Sequence, residues 1–476
     1  MIVMKFGGTS VGSAESIRNV AGVGKASLGR SPFVVVSAVS GVTDMLLASA
    51  RTAVDRKSPI RAIVKEIAGT HAAVIDELGL DSGLISEEIA ELEHVLFGIS
   101  LIRELTARTS DYIVSFGERM SSKIVAAYAR KAGINAEALN AYELGMVTDG
   151  NFGNAEILPA TYDMIVAAVK GIPAGVIPIV TGFIGKTDEG EVTTLGRGGS
   201  DYTAAIYGAA LGAEEIQIWT DVDGVMTADP KIVPDARAVD VVSFEEASEL
   251  SYFGAKVLHP KTILPAMNRN IPVRVLNTFN PSGNGTVILR TAMVSHDMPV
   301  TAITCKKDIH VISISSLRML LAYGFLSRVF KIFEEFKVPV DVIATSEVNV
   351  SVTVEKKFDI AGLVEMLKAF ASVTVLSDRA SISIVGEGIR SKSGIGGRIF
   401  SVLGRKGVNV EMVSQSYGVL SESVIVEEKY VNDAVKALHG EFFGASEKPV
   451  AAAVARAARL KLVKAAKAAV RWGEMA

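Results

Sequence analysis

The sequence predicts an α/β protein, a mostly parallel sheet covered by helices, followed by two small ferredoxin-like units. Two observations carry this. From residue 1 to about 290, β-branched runs alternate with helical patterns, and beyond 300 a gapless internal repeat recurs at a shift of 70 residues. Length agrees, since 476 residues exceed the roughly 100–200 of a single domain.

Taken in order, the strand candidates of the first part are Ile2–Phe6, Phe33–Val39, Ile177–Thr181, Ile216–Thr220 and Val273–Leu276. Most end in glycine, serine, threonine or aspartate. Open parallel sheets bind ligands beyond the carboxyl ends of their strands, so that edge is the expected site. The stretch Thr291–Val300 breaks the alternation with Ser, His, Asp and Pro and is read as a boundary, giving a first domain over 1–290.

Next come strand 309–316, helix 324–336, strands 340–346 and 349–355, helix 359–370 and strand 372–378, a βαββαβ unit assigned to 307–378. Its helix carries an apolar face of Leu326, Val329, Phe330 and Phe333. Laying Gly324–Ser346 over Gly394–Ser416 matches Gly324 with Gly394, Arg328 with Arg398, Phe330 with Phe400 and Val338 with Val408. A second unit over 379–445 follows, one strand short, and Thr301–Lys306 is available to complete it. The alanine-rich tail 446–476 reads as a terminal helix with a solvated basic face.

Composition excludes several classes of function. Hydrophobic residues are 49% and charged residues 21%, a globular balance, and a formal charge of −3 points to neither a nucleic-acid nor a membrane partner. The longest charge-free stretch, Gly171–Gly185, holds fifteen residues and two prolines, short of the roughly 20 a spanning helix needs. The start, MIVMKFGG, lacks the apolar core of a signal peptide, so a cytoplasmic protein is expected. One cysteine, Cys305, and six scattered histidines suggest neither a disulfide nor a structural metal.

Several segments carry possible chemistry. Lys5-Phe6-Gly7-Gly8-Thr9-Ser10 places a cation and two glycines between a strand and a helix start, where backbone amides can approach phosphate. It fits neither Walker A nor GxGxxG, and an ordinary strand-to-helix turn is the competing reading. In Thr194-Leu195-Gly196-Arg197-Gly198-Gly199-Ser200-Asp201, an arginine fork among glycines suits a carboxylate or phosphate, and Asp201 at a helix start suits an ammonium. Ser115-Phe116-Gly117-Glu118-Arg119 adds an acid, and together these groups suit a zwitterion. Thr220-Asp221, Lys231 and Lys256 could grip a nucleotide, although single lysines are usually solvated; His259 beside Pro260 reads as structural.

KFGGTSVG (5–12), SAVSGVTD (37–44), SFGERMSS (115–122), TGFIG (181–185), TLGRGGSDYTA (194–204), WTDVDGVMTADP (219–230) and ELSYFGAKVLHP (249–260) occur in that order, and together they resemble the aspartate kinase family. The likeness extends through both repeats, which resemble ACT regulatory domains, to about 445. It implies an amino-acid-kinase αβα sandwich in three layers, followed by two ACT domains.

The implied reaction transfers the γ-phosphoryl of Mg-ATP to the side-chain carboxylate of L-aspartate, giving 4-phospho-L-aspartate. On matching positions, the resemblance implies that Lys5 and Asp201 are catalytic, with Lys5 at the transferring phosphates and Gly7 and Gly8 supplying backbone donors. Ser37, Thr43, Glu118, Phe183, Arg197 and Ser200 would line the aspartate site, with Arg197 on the α-carboxylate and Glu118 with Asp201 on the ammonium. Thr220, Asp221, Lys231 and Lys256 would hold ATP. Met226 stands where many relatives have tyrosine. No protein cage for Mg²⁺ is evident, as expected for a metal carried by ATP oxygens and water.

In the first repeat, Met319, Gly324, Asp341, Thr345, Ser346 and Glu347 are the candidate effector residues. The segment resembles the lysine-sensitive branch more than the threonine-sensitive one. Ser421 and Glu422 depart from the usual pattern, so the second repeat is expected to serve assembly, in a homodimer or dimer of dimers through the ACT domains. The alternatives are another amino-acid kinase or a catalytically silent amino-acid sensor.

Overall fold

The structure, a computed structural model, describes residues 1–56, 59–253, 258, 260–290, 299–316 and 323–444. The chain forms two compact units, the first made of Met1–Val225, Asp240–Phe244 and Val257–Met293, the second of Met226–Val239, Glu245–Lys256 and Val294–Ala476.

Along the chain come β1 (Ile2–Phe6), α1 (Ala14–Ala26), β2 (Pro32–Val36), α2 (Val42–Asp55), α3 (Ile60–Leu78), α4 (Ser86–Ile102), α5 (Ala107–Lys131) and β3 (Ala136–Leu139). Then follow α6 (Thr161–Val169), β4 (Ile177–Thr181), β5 (Ile184–Lys186), β6 (Val192–Thr194), α7 (Gly199–Leu211), β7 (Glu215–Thr220), β8 (Val241–Ser243), α8 (Phe244–Tyr252), α9 (Pro260–Asn268), β9 (Val273–Asn277) and β10 (Thr286–Leu289).

The main sheet has the order β3-β4-β2-β1-β7-β9-β10-β8, parallel except where β10 runs against β9. Strands alternate their faces. Ile2, Met4 and Phe6 pack with Ile17 of α1, Leu46 of α2 and Phe116 of α5, while Phe33 meets Tyr207 of α7, ring centroids 4.7 Å apart. Helices therefore cover both faces, the three-layer α/β architecture expected. β1 lies between β2 and β7, so the strand order reverses there and opens a crevice at the carboxyl ends.

One expectation is corrected in this unit. β2 stops at Val36, because the Ala38 N–H turns away to the Glu118 carboxylate (3.1 Å) and leaves the ladder.

The second unit contains β11 (Ala302–Ser315), α10 (Phe325–Glu335), β12 (Ile343–Thr345), β13 (Asn349–Glu355), α11 (Ala361–Lys368), β14 (Ser372–Val385), α12 (Glu387–Ser391), α13 (Ile395–Arg405), β15 (Met412–Ser414), β16 (Ser421–Glu427) and α14 (Val431–Phe443). All its strands join one sheet, β12-β13-β11-β14-β16-β15. Strands read separately from sequence are continuous: β11 pairs through Ala302–Lys306 with Ser381–Val385 and through Val311–Ser315 with Ser372–Leu376. The polar breaks at Asp308 and Asp378 adopt positive φ and kink the two strands rather than ending them.

Gly324 and Gly394, matched by the repeat, both cap their helices at φ of 81° and 85°, a conformation that favours glycine. Val329, Ile332 and Phe333 bury the inner face of α10. Leu326, expected there, is exposed, because the stripe runs through Phe325 instead. The stretch 226–239 and most of α8 belong to this unit, where Ala228, Ile232 and Val233 share a core with α13 and α14. Glu246 accepts from Thr301 Oγ1 (2.5 Å) and from Glu387 N (3.3 Å). Among the described residues no helix is long and apolar enough to cross a membrane.

Candidate active site

The crevice at the carboxyl ends of β1, β2, β4 and β7 gathers most of the residues singled out from the first unit. Lys5, next to last in β1, places its Nζ 2.7 Å from Asp201 Oδ1 in the first turn of α7. Gly8 brings two strand ends together, since a Cβ there would stand 3.0 Å from the Ala38 carbonyl oxygen. Gly7 is a correction. Its N–H donates to the Trp219 carbonyl (3.1 Å), so it ties β1 to β7 and is not a free phosphate donor.

Glu118, on α5, is 3% exposed. Its Oε1 accepts from Ala38 N at 3.1 Å, while its buried Oε2 has no hydrogen-bond partner. Burial pushes this carboxyl from 4.5 up to about 8, against the opposing pull of the Ala38 amide and of Lys5. A second cation beside it would be favoured. Ser37, half-buried, follows β2 and donates its N–H to the Phe6 carbonyl (3.1 Å); Thr43, also half-buried, lies in the first turn of α2.

Phe183 follows β4 at φ +68°, a strained conformation for a bulky residue. It is held on both sides: its N–H donates to Thr203 Oγ1 (3.0 Å), and its carbonyl accepts from Leu195 N (2.9 Å). The neighbouring glycines are obligatory by packing. A Cβ on Gly182 would meet Ser200 at 2.6 Å, and one on Gly199 would meet the Phe183 ring at 2.6 Å. Ser200 is thereby buried against the end of β4, whereas Arg197 is exposed in the turn before α7 and makes no ion pair among the described residues.

Thr220 ends β7 and donates to Asp221 Oδ1 (3.1 Å), with Asp221 exposed. Lys231 belongs to the second unit, and Lys256 lies outside the described residues.

In the second unit, Gly324 caps α10, and Thr345, Ser346 and Glu347 are exposed at the hairpin between β12 and β13. Asp341 lies at the other end of β12 and is already paired, its Oδ2 standing 2.6 Å from Lys306 Nζ, which also meets Glu355 at 2.9 Å. Within the chain the structure does not bring Asp341 together with the hairpin. Met319 lies outside the described residues.

Comparison with known proteins now adds to this geometry. Residues 1–277 match the amino acid kinase family and residues 382–442 an ACT domain. The chain is 43% identical over 459 residues to aspartokinase 1, chloroplastic, of Arabidopsis thaliana, covering 93% of this chain and 80% of the relative. The chain belongs to the aspartokinase family. Among solved structures it resembles E. coli aspartokinase III in complex with aspartate and ADP (R-state), at TM-score 0.78 and 30% identity, covering 93% of this chain and all of that one. The same enzyme in complex with lysine and aspartate (T-state) gives a TM-score of 0.77.

Sequence reading of this chain missed one group beside the Arg197 loop, Asp111, which bonds Thr194 and Gly153. It shares a face of α5 with Ser115, Glu118 and Ser122, all buried. The spacing i, i+4, i+7 and i+11 of these polar residues on one helix face was the available signal.

Proposed function

We propose that the first unit binds L-aspartate and Mg-ATP at the carboxyl ends of β1, β4 and β7 and transfers the γ-phosphoryl to the substrate's side-chain carboxylate. The observation that carries the assignment of residues is the Lys5–Asp201 contact beside the unpartnered Glu118 Oε2. An aspartate side chain, with a pKa of about 3.9, is already an anion at neutral pH and needs no general base. Its oxygen attacks the γ-phosphorus, the bond to the β–γ bridging oxygen breaks, and ADP leaves with that electron pair. The protein must align two anions and stabilise the charge spread over the transferring group.

Lys5 supplies that charge, with the Gly8 amide nearby. Arg197, exposed and unpaired, takes the α-carboxylate in a bidentate fork, and Glu118 with Asp201 takes the α-ammonium. Ser37, Thr43, Phe183 and Ser200 shape the site around the substrate, and Thr220 with Asp221 faces the nucleotide. Magnesium enters with ATP, held by phosphate oxygens and water.

Regulation completes the reading. The second unit binds lysine where chains paired through their ACT sheets, in a homodimer or a dimer of dimers, bring the hairpin Thr345–Glu347 and Asp341 to one site. Ile343 and Val413, matched by the repeat, support such pairing, since both are exposed apolar residues on the edge strands β12 and β15. The decisive experiment follows aspartate-dependent ADP release while trapping the acyl phosphate as its hydroxamate with hydroxylamine. Turnover without hydroxamate would overturn the assignment, and absence of both would favour a silent sensor.

A further inference from the structure

Asp111 is 3% exposed in the second turn of α5, and it binds two separate segments. Its Oδ2 accepts from Thr194 N (2.8 Å) and from Gly153 N (2.9 Å), and its Oδ1 accepts from Thr194 Oγ1 (2.9 Å). Burial raises its pKa, and the three donors oppose that rise. A buried carboxylate that consumes three donors is a specific fixture, because each donor would be left unsatisfied without it.

Both segments frame the loop that carries Arg197. Thr194 is the last residue of β6, and the chain passes from it directly into Leu195-Gly196-Arg197. Gly153 precedes Asn154, whose Oδ1 would stand only 2.6 Å from a Cβ on Gly196, so Asn154 forms the wall against which the loop turns at φ +72°. The turn closes further on, where Gly199 N donates to the Gly196 carbonyl (3.0 Å). One carboxylate thus fixes where the loop starts and what it leans on, three residues from the guanidinium.

We infer that Asp111 is a positioning residue for substrate recognition, setting the register of the Leu195–Gly198 turn so that Arg197 presents its fork to the substrate α-carboxylate. The inference rests on the assignment of Arg197 to aspartate. It does not make Asp111 touch substrate or nucleotide.

The test is steady-state kinetics on the full chain with Asp111→Asn, Thr194→Val and, in parallel, Arg197→Lys. Thr194→Val removes only the hydroxyl bond at nearly constant shape. Asp111→Asn is expected to raise KM for aspartate by about tenfold or more, as loss of charge-assisted bonds to a buried acceptor implies. KM for ATP should stay within about twofold, and Thr194→Val should shift the aspartate KM in the same direction by less. If Arg197→Lys raises the aspartate KM and a folded Asp111→Asn leaves it unchanged, or raises both KM values alike, the positioning role is wrong. Should Asp111→Asn fail to fold, Thr194→Val decides by the same criterion. If Arg197→Lys itself spares aspartate, the reading beneath the inference has failed instead.

Discussion

Lys5 Nζ and Asp201 Oδ1 stand 2.7 Å apart and join the end of β1 to the first turn of α7, with side-chain exposures of only 11% and 14%. The pair balances its own charge in the free protein. On the proposed reading, a triphosphate meets a cation that is already oriented, at the point where the strand order reverses.

Replacing Lys5 with methionine keeps bulk and removes the charge. Turnover is expected to fall by about 10²–10³, the usual cost of losing one preorganised electrostatic contact. ADP release and circular dichroism on the same preparation check it. A folded variant within threefold of the parent would remove Lys5 from the chemistry.

Arg197→Lys should raise the aspartate requirement far more than the ATP requirement, because an ammonium cannot reproduce the bidentate fork. Paired KM measurements decide. Equal damage to both substrates would move the residue to the phosphates.

The candidate site was legible where its residues lie in short runs near strand ends. Lys5, Gly8, Arg197 and Asp201 each lie in or directly beside a glycine-bearing segment that local sequence displays. What was hidden depends on contacts distant in sequence. The Gly7 amide goes to Trp219, 212 residues away in the chain; Asp111 reaches Thr194 across 83 positions. Neither has a local signature. The repeat pointed to two ferredoxin-like copies, yet polar residues at 306–308 and 377–379 hid the continuity of two kinked strands.

The effector assignment predicts that millimolar lysine inhibits, and that Asp341→Ala or Glu347→Ala raises the half-inhibiting concentration by about 5–150-fold, the usual span of allosteric coupling. Asp341→Ala leaves Lys306 its contact with Glu355 (2.9 Å), so the fold should survive. Glu347 is exposed at the hairpin and makes no ion pair among the described residues, so its loss should act on the ligand alone. Inhibition curves with lysine and threonine on the parent and both variants provide the check. Suppression by threonine with indifference to lysine would replace the effector; indifference to both would remove the regulatory reading.

Glu118 makes a pH-dependent prediction whose direction follows from its burial. Its carboxyl rises from 4.5 to about 8 in the fold, so between those values the folded protein holds a proton that the unfolded chain has released. Stability must then fall as pH rises through this window, the reverse of the usual carboxylate. Glu118→Gln, neutral at every pH, escapes the penalty. Its melting temperature relative to the parent should climb from about pH 4.5 to about pH 8 and level off above. On the proposed assignment, substrate should reverse the situation, because an α-ammonium against the unpartnered Oε2 would favour the charged carboxylate and expel the proton. Aspartate binding near pH 7 should thus release protons from the parent and not from Glu118→Gln. Titration calorimetry in two buffers of different ionisation enthalpy measures this directly, and equal apparent enthalpies for the parent in both buffers would separate Glu118 from the ammonium.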